Sequence, residues 1–195
     1  MNPEESPLRH HLRTQDHNLH ELIASDVLHS SVEQAIVVLS GAVRSGKPIL
    51  TCGNGGSASD ALHIAGELVG EFHVSRPAIN VVCLNANVSV LTAWSNDVSY
   101  NSAFARQVEA HGDAGGVLWG LSTSGNSQNV IEACEAARVL GMQTIAMTGR
   151  DGGALAKIAS NPIRVPADDA PSAQNLHVVL YHYICAEVER LSLSD

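Results

Sequence analysis

Aromatic side chains are scarce: two Trp, three Tyr and two Phe make up 4% of the chain. That excludes a core built on large rings. The interior must come from Ala, Val, Ile and Leu, which parallel sheets and their covering helices use well. Basic residues are also few, with 11 Lys and Arg against 20 Asp and Glu and a formal net charge of -9. No basic run exists, so nucleic acid is not expected as a partner. The four cysteines, Cys52, Cys83, Cys134 and Cys185, fit neither a zinc knuckle nor a redox pair. They read as small buried hydrophobes in a reducing compartment. No apolar run reaches the length of a membrane span, and the opening MNPEESPLRHH is too polar for a secretory signal. A cytoplasmic protein with no membrane partner is the expectation.

What is present is globular: 45% hydrophobic and 16% charged over 195 residues, enough for one domain with a sizeable core. We read residues 1–195 as that domain, with an N-terminal helical extension over 10–45. Residues 1–10 read as a frayed leader. From Leu12 to Val43 the pattern is helical, with a break expected near Ser30 and Ser31. Leu19, Leu22 and Ile23 share one face, and Val32, Ile36, Leu39 and Val43 form another stripe. Short apolar strands follow at 48–53, 78–84, 116–122, 142–149 and 161–166. Helical segments at 57–70, 89–94, 100–110, 127–140, 153–159 and 173–191 alternate with them. Such alternation predicts an α/β fold, a doubly wound parallel five-stranded sheet, with ligands bound beyond the strand C-termini.

Two loops lie at that edge. CGNGGS (52–57) joins a strand to a helix; Gly53, Gly55 and Gly56 allow a tight turn and close ligand approach. Ser57 stands at the helix start, where its hydroxyl and free N–H groups converge. The spacing is neither the dinucleotide pattern nor a Walker loop. STSGNS (122–127) repeats the arrangement one unit later, with Ser122, Thr123, Ser124 and Ser127 around Gly125 and Asn126. Each loop alone could be a plain turn or cap. Two on one sheet edge point to a phosphate cradle without a cation.

These loops, together with SNDVSYNSAFARQVEA (95–110) and AMTGRDGG (146–153), resemble the sugar isomerase (SIS) domain family and its phosphoheptose isomerase branch. The resemblance implies a flavodoxin-like core, N-terminal helices packed into a homotetramer, and conversion of sedoheptulose 7-phosphate to the aldose heptose phosphate. It implies phosphate and sugar contacts at Asn54, Gly55, Ser57, Ser122, Thr123, Ser124, Ser127, Asp97 and Gln174. It further implies catalysis by Glu67 and His182, and zinc at His63, Glu67, Gln174 and His182. On their own terms, His63 and Glu67 are four apart and share a helix face. Gln174 and His182 are eight apart, roughly two turns. A carboxylate and an imidazole suit an enediol proton transfer, with Glu67 acting on carbon and His182 on oxygen, or the reverse. Two imidazoles, a carboxylate and an amide oxygen also form a plausible zinc set. Asp97 could instead be an Asx cap, and His17, His20 and His177 read as packing or surface histidines.

Three departures from the branch stand out. Glu71 replaces a basic residue, with Arg76 nearby to offset it or a different ligand in play. Asn87 replaces an aspartate, and Ser172 and Asn175 replace an arginine and a glutamate at what reads as the cleft lip. The competing readings are a non-catalytic assembly protein partnering a replication initiator, or an isomerase of another phosphosugar.

Overall fold

The computed structural model describes residues 6–193. Its centre is a five-stranded, all-parallel sheet in the order β2-β1-β3-β4-β5. The strands are β1 (Ile49–Gly53), β2 (Val81–Cys83), β3 (Val117–Leu121), β4 (Gln143–Thr148) and β5 (Asn161–Arg164). Because the winding reverses between β1 and β3, the crevice over their C-terminal ends is the natural ligand site of such a sheet. Side chains alternate between the two faces. Ile49, Val117, Trp119 and Leu121 enter one core, under α1 (Pro7–Ile23), α2 (Asp26–Arg44), α3 (Gly56–Val69) and α8 (Ala170–Ser192). Leu50, Leu118 and Ala146 enter the other, under α5 (Ala103–His111), α6 (Gln128–Val139) and α7 (Leu155–Ile158). Helix α4 (Val88–Asp97) lies at the β2 side and has no fully buried residue.

Several boundaries differ from the sequence expectation. Residues 1–5 lie outside the described residues, but 7–10 are helical rather than frayed. Ser6 accepts from the Arg9 amide at 3.3 Å and Pro7 sits in the first turn, a favourable start. The helical break falls at Ala24 and Ser25, not at Ser30 and Ser31. Ser25 Oγ caps the Leu28 amide at 3.3 Å, whereas Ser31 Oγ donates back to the Val27 carbonyl at 3.1 Å within the helix. Of the first apolar face only Leu22 is buried; Ile23 is exposed. Val32, Ile36 and Leu39 enter the core as expected. Strand β2 is shorter than its apolar run, because it is an edge strand and its register with β1 runs only from Ile49↔Val81 to Thr51↔Cys83.

Candidate active site

Both serine loops open onto the β1/β3 crevice. The β1–α3 loop is tied down by Asn85, which accepts from the Gly53 amide at 3.1 Å and donates to its carbonyl at 2.9 Å. A Cβ on Gly53 would lie 2.5 Å from the Ser57 carbonyl oxygen, so glycine is required for this close turn. The next loop folds on itself: Ser122 Oγ donates to Ser127 Oγ at 2.9 Å, and Ser124 Oγ accepts from the Asn126 amide at 3.2 Å. Gly125 has φ +64°, and a side chain there would strike the Gly152 backbone. Thr123 accepts the Gly149 amide through its carbonyl. Ser57 and Ser122 are buried.

A reciprocal amide pair joins the two loops. Asn54 donates to Asn129 at 2.8 Å, and Asn129 donates back at 2.9 Å. The Tyr100 hydroxyl adds a third bond to Asn54 Oδ1 at 2.6 Å. Sequence reasoning missed Asn129 and Tyr100; a helix-start Asn and a loop Tyr carry no spacing signal for a contact 75 or 46 residues away.

Further along α3 lies an ionisable cluster. His63 Nε2 is 2.9 Å from Glu67 Oε1 and 3.5 Å from His182 Nε2. The three residues offer ligand atoms all within 4.8 Å of one another. The Phe72 ring stacks on His182 at 5.8 Å and 21°. Buried behind them are Tyr181, bonded to His63 Nδ1 at 2.9 Å, and Asp60. Burial pushes the Asp60 carboxyl up, against the opposing pull of His63 and Tyr181. Burial and the nearby Asp60 charge push the Tyr181 hydroxyl up to about 12.

Not every expected partner joins the cluster. Gln174 stands two turns before His182, about 12 Å of helix rise. Its amide lies against Gly56, where an added Cβ would come 2.7 Å from the Gln174 amide carbon. Within one chain the structure therefore groups Gln174 with the cradle and leaves three donors together. Asp97 ends α4 rather than lying in a loop; it is exposed and accepts from Asn96 at 2.8 Å. Among the described residues no hydrogen bond ties it to either serine loop. Two imidazole nitrogens and a carboxylate oxygen are a donor set suited to zinc, and three protein donors leave a coordination position open.

A family model for the SIS domain matches residues 16–149. A phosphoheptose isomerase of Synechocystis sp. is 45% identical over 159 residues, 82% of each chain. That of Helicobacter pylori strain P12 is 44% identical over 163 residues, 84% of this chain and 85% of its own. The chain belongs to the SIS domain family, in its phosphoheptose isomerase branch. The solved phosphoheptose isomerase of Neisseria gonorrhoeae superposes on this SIS domain with TM-score 0.87 at 36% identity, covering 94% of this chain and 97% of the other.

The positions at which this SIS domain departs from its branch have local explanations. Asn87 caps α4 by accepting from the Val90 amide at 3.1 Å. Ser172 and Asn175 do not form a cleft lip: both bond Gln15 of α1, at 3.0 and 3.2 Å. Arg76 does not offset Glu71, because its guanidinium is buried against Glu189 at 3.1 Å and donates to the Glu67 carbonyl. Glu71 instead accepts from Ser75 at 2.9 Å.

Proposed function

We propose that this chain isomerises sedoheptulose 7-phosphate to the corresponding aldoheptose 7-phosphate. The observation that carries the reading is the convergence of His63, Glu67 and His182 on a fold whose sheet crevice holds a glycine-rich loop ending in Ser57 and a hydroxyl-rich loop. In this reading Ser57, Ser122, Thr123, Ser124 and Ser127 take the phosphate, aided by the positive end of the α3 dipole. Asn54, Gly55, Asp97 and Gln174 contact the substrate. Glu67 removes a proton from carbon 1 of the ketose and returns it to carbon 2. His182 gives a proton to the oxygen on carbon 2 and recovers one from the hydroxyl on carbon 1, so the exchange balances. His63, Glu67 and His182 would hold a zinc ion, with Gln174 as the weakest expected ligand. The ion would supply a Lewis acid for the carbonyl.

A homotetramer is part of the proposal. Ile23, Val27, Val179 and Tyr183 expose apolar surface around the α1–α2–α8 groove, and α4 lacks a buried face. We also read the chain as one domain and as cytoplasmic, consistent with four free, buried cysteines. No observation favours the assembly-protein reading, which lacks a use for the Glu67–His182 pair. The test is to mix the protein, supplied with zinc, with sedoheptulose 7-phosphate and follow the aldose by NMR. Aldose formation is expected; its absence overturns the heptose assignment.

A further inference from the structure

Asn54 and Asn129 hold each other by two bonds, Asn54 Nδ2 to Asn129 Oδ1 at 2.8 Å and Asn129 Nδ2 to Asn54 Oδ1 at 2.9 Å. Such a pair does not fix its own sense. If both carboxamides turn over together, nitrogen and oxygen exchange places and both bonds survive. A carboxamide oxygen accepts twice and its nitrogen donates twice, so each Asn54 atom keeps one site on the side away from Asn129. The Tyr100 hydroxyl occupies that outer site on Oδ1 at 2.6 Å. This separation suits O–H···O and is shorter than an ordinary N–H···O bond, so the hydroxyl donates and meets oxygen. Among the described residues neither carboxamide has a further hydrogen-bond partner, which leaves the outer Nδ2 hydrogen of Asn54 for a ligand. Tyr100 comes from outside the cradle, between α4 and α5; it is half exposed, and its ring lies 6.5 Å from that of buried Phe104. Among the described residues, its bond to Asn54 is the one hydrogen bond between residues 88–102 and either serine loop.

We propose that Tyr100 is a positioning residue of the phosphate cradle, whose hydroxyl holds the Asn54 carboxamide in the sense that offers an anion an N–H and not a carbonyl. In the opposite sense Asn54 Oδ1 would face the phosphate oxygens, acceptor against acceptor. The pull toward that wrong sense is strongest when the cradle is empty, because the positive end of α3 attracts the carbonyl oxygen. Tyr100 opposes the pull by giving Oδ1 a donor on the other side. The bound state is the same with or without the hydroxyl; what changes is the fraction of the empty protein ready to bind. The inference rests on the cradle of the isomerase reading and adds to it a residue from outside both loops. Its first readout needs no turnover.

The experiment titrates inorganic phosphate into full-length wild type, Tyr100→Phe, Asn54→Ala and the double variant, and measures kcat and KM with sedoheptulose 7-phosphate. Tyr100→Phe keeps the ring against Phe104 and loses only the oxygen. Its phosphate dissociation constant should rise about fivefold, with a matching rise in KM and kcat within about twofold of wild type. Asn54→Ala should weaken phosphate by itself, and adding Tyr100→Phe to it should change nothing further, because the hydroxyl acts through the carboxamide. A loss below about twofold in Tyr100→Phe overturns the proposal. So does an equal loss from Tyr100→Phe in the Asn54→Ala background, which would mean that the hydroxyl touches the ligand itself. So does a fall in kcat with KM unchanged, which would place Tyr100 with the chemistry. If wild type binds phosphate but does not convert the ketose, the isomerase reading fails and the phosphate titrations still decide the role of Tyr100. A wild type that does not bind phosphate overturns the cradle and this inference together.

Discussion

The two ends of α3 are built from different chemistry. At its start, the cradle is made of hydroxyls, amides and glycine backbone, and the two loops are joined through neutral Asn54 and Asn129. Two turns later the surface is imidazole and carboxylate, set on two helices that run in the same direction. Gln174 meets Gly56, Tyr181 meets His63, and Glu189 meets Phe72 and His73, in that order along both segments. The difference is physical. An anion already finds positive potential at a helix start, so the loops need only shape and donors. Moving protons needs groups that change charge state, held in fixed register, and a helix pair supplies that better than a glycine-rich loop. Binding and chemistry should therefore separate on mutation.

The largest separation is expected from Glu67→Gln. It keeps size and removes the proposed base, so kcat should fall about 10⁴-fold while KM stays within about threefold. A matching rise in KM, measured by steady-state kinetics, would erase the distinction between the two ends. Next comes the support of the helix end. Glu189 is buried; burial pushes its carboxyl up, but the Phe72 and His73 amides and Arg76 outweigh that and hold it low. Glu189→Ala strands the Arg76 guanidinium and should cost about 4 kcal/mol in urea unfolding. It should also loosen the segment that holds Phe72 over His182. A loss under about 1 kcal/mol would mean that the pair does not brace this end.

The same contrast explains what could be read without coordinates. The cradle is written consecutively, as glycines and hydroxyls between an apolar strand and a helix, so both loops were legible. So was the pairing of His63 with Glu67, a local four-residue spacing. The meeting of Tyr181 with His63 was not, because it depends on the register of α3 against α8, set by packing across more than 100 residues. The family pattern alone places Gln174 with the metal; within one chain its amide lies against Gly56 at the cradle. Ser172 and Asn175 were assigned to the cleft because the docking of α1 was invisible; only Gln15 shows which way they face. Two adjacent serines suggested a break at Ser30 and Ser31, but the capping geometry belongs to Ser25.

A smaller effect concerns acid stability of the helix side. His177 is fully buried, and burial drops its imidazole to about 4. Its Nε2–H donates to the Thr148 carbonyl at 3.3 Å, and Nδ1 has no partner. Above the ordinary value of 6.5 both folded and unfolded forms are neutral and nothing is lost. As pH falls through 6.5, the unfolded chain takes a proton that the folded one refuses until about 4. Stability should drop by about 3 kcal/mol across that window. His177→Gln keeps a donor toward Thr148 and should remove this part of the slope. Urea midpoints of the two proteins between pH 7 and 4.5 measure the difference; parallel curves would place the acid sensitivity elsewhere.

The smallest effect is the sharpest test of the cradle. Asn129 is buried and touches no group of the ionisable cluster; its part is to return a hydrogen bond to Asn54 across the crevice. Asn129→Ala removes both bonds of the pair and leaves Asn54 held by Tyr100 alone. A hydrogen-bond deficit of about 1.4 kcal/mol at a binding loop corresponds to about a 10-fold rise in KM. The kcat should stay within about twofold, because Glu67 and His182 are braced by α3, α8 and the Glu189 contacts rather than by this loop. Asn129→Asp sharpens the point: it can still accept from Asn54, but it places a negative charge beside the phosphate and should raise KM further than alanine does. If kcat falls with KM in either variant, the loops help to set the geometry of the cluster, and binding and chemistry are coupled along α3.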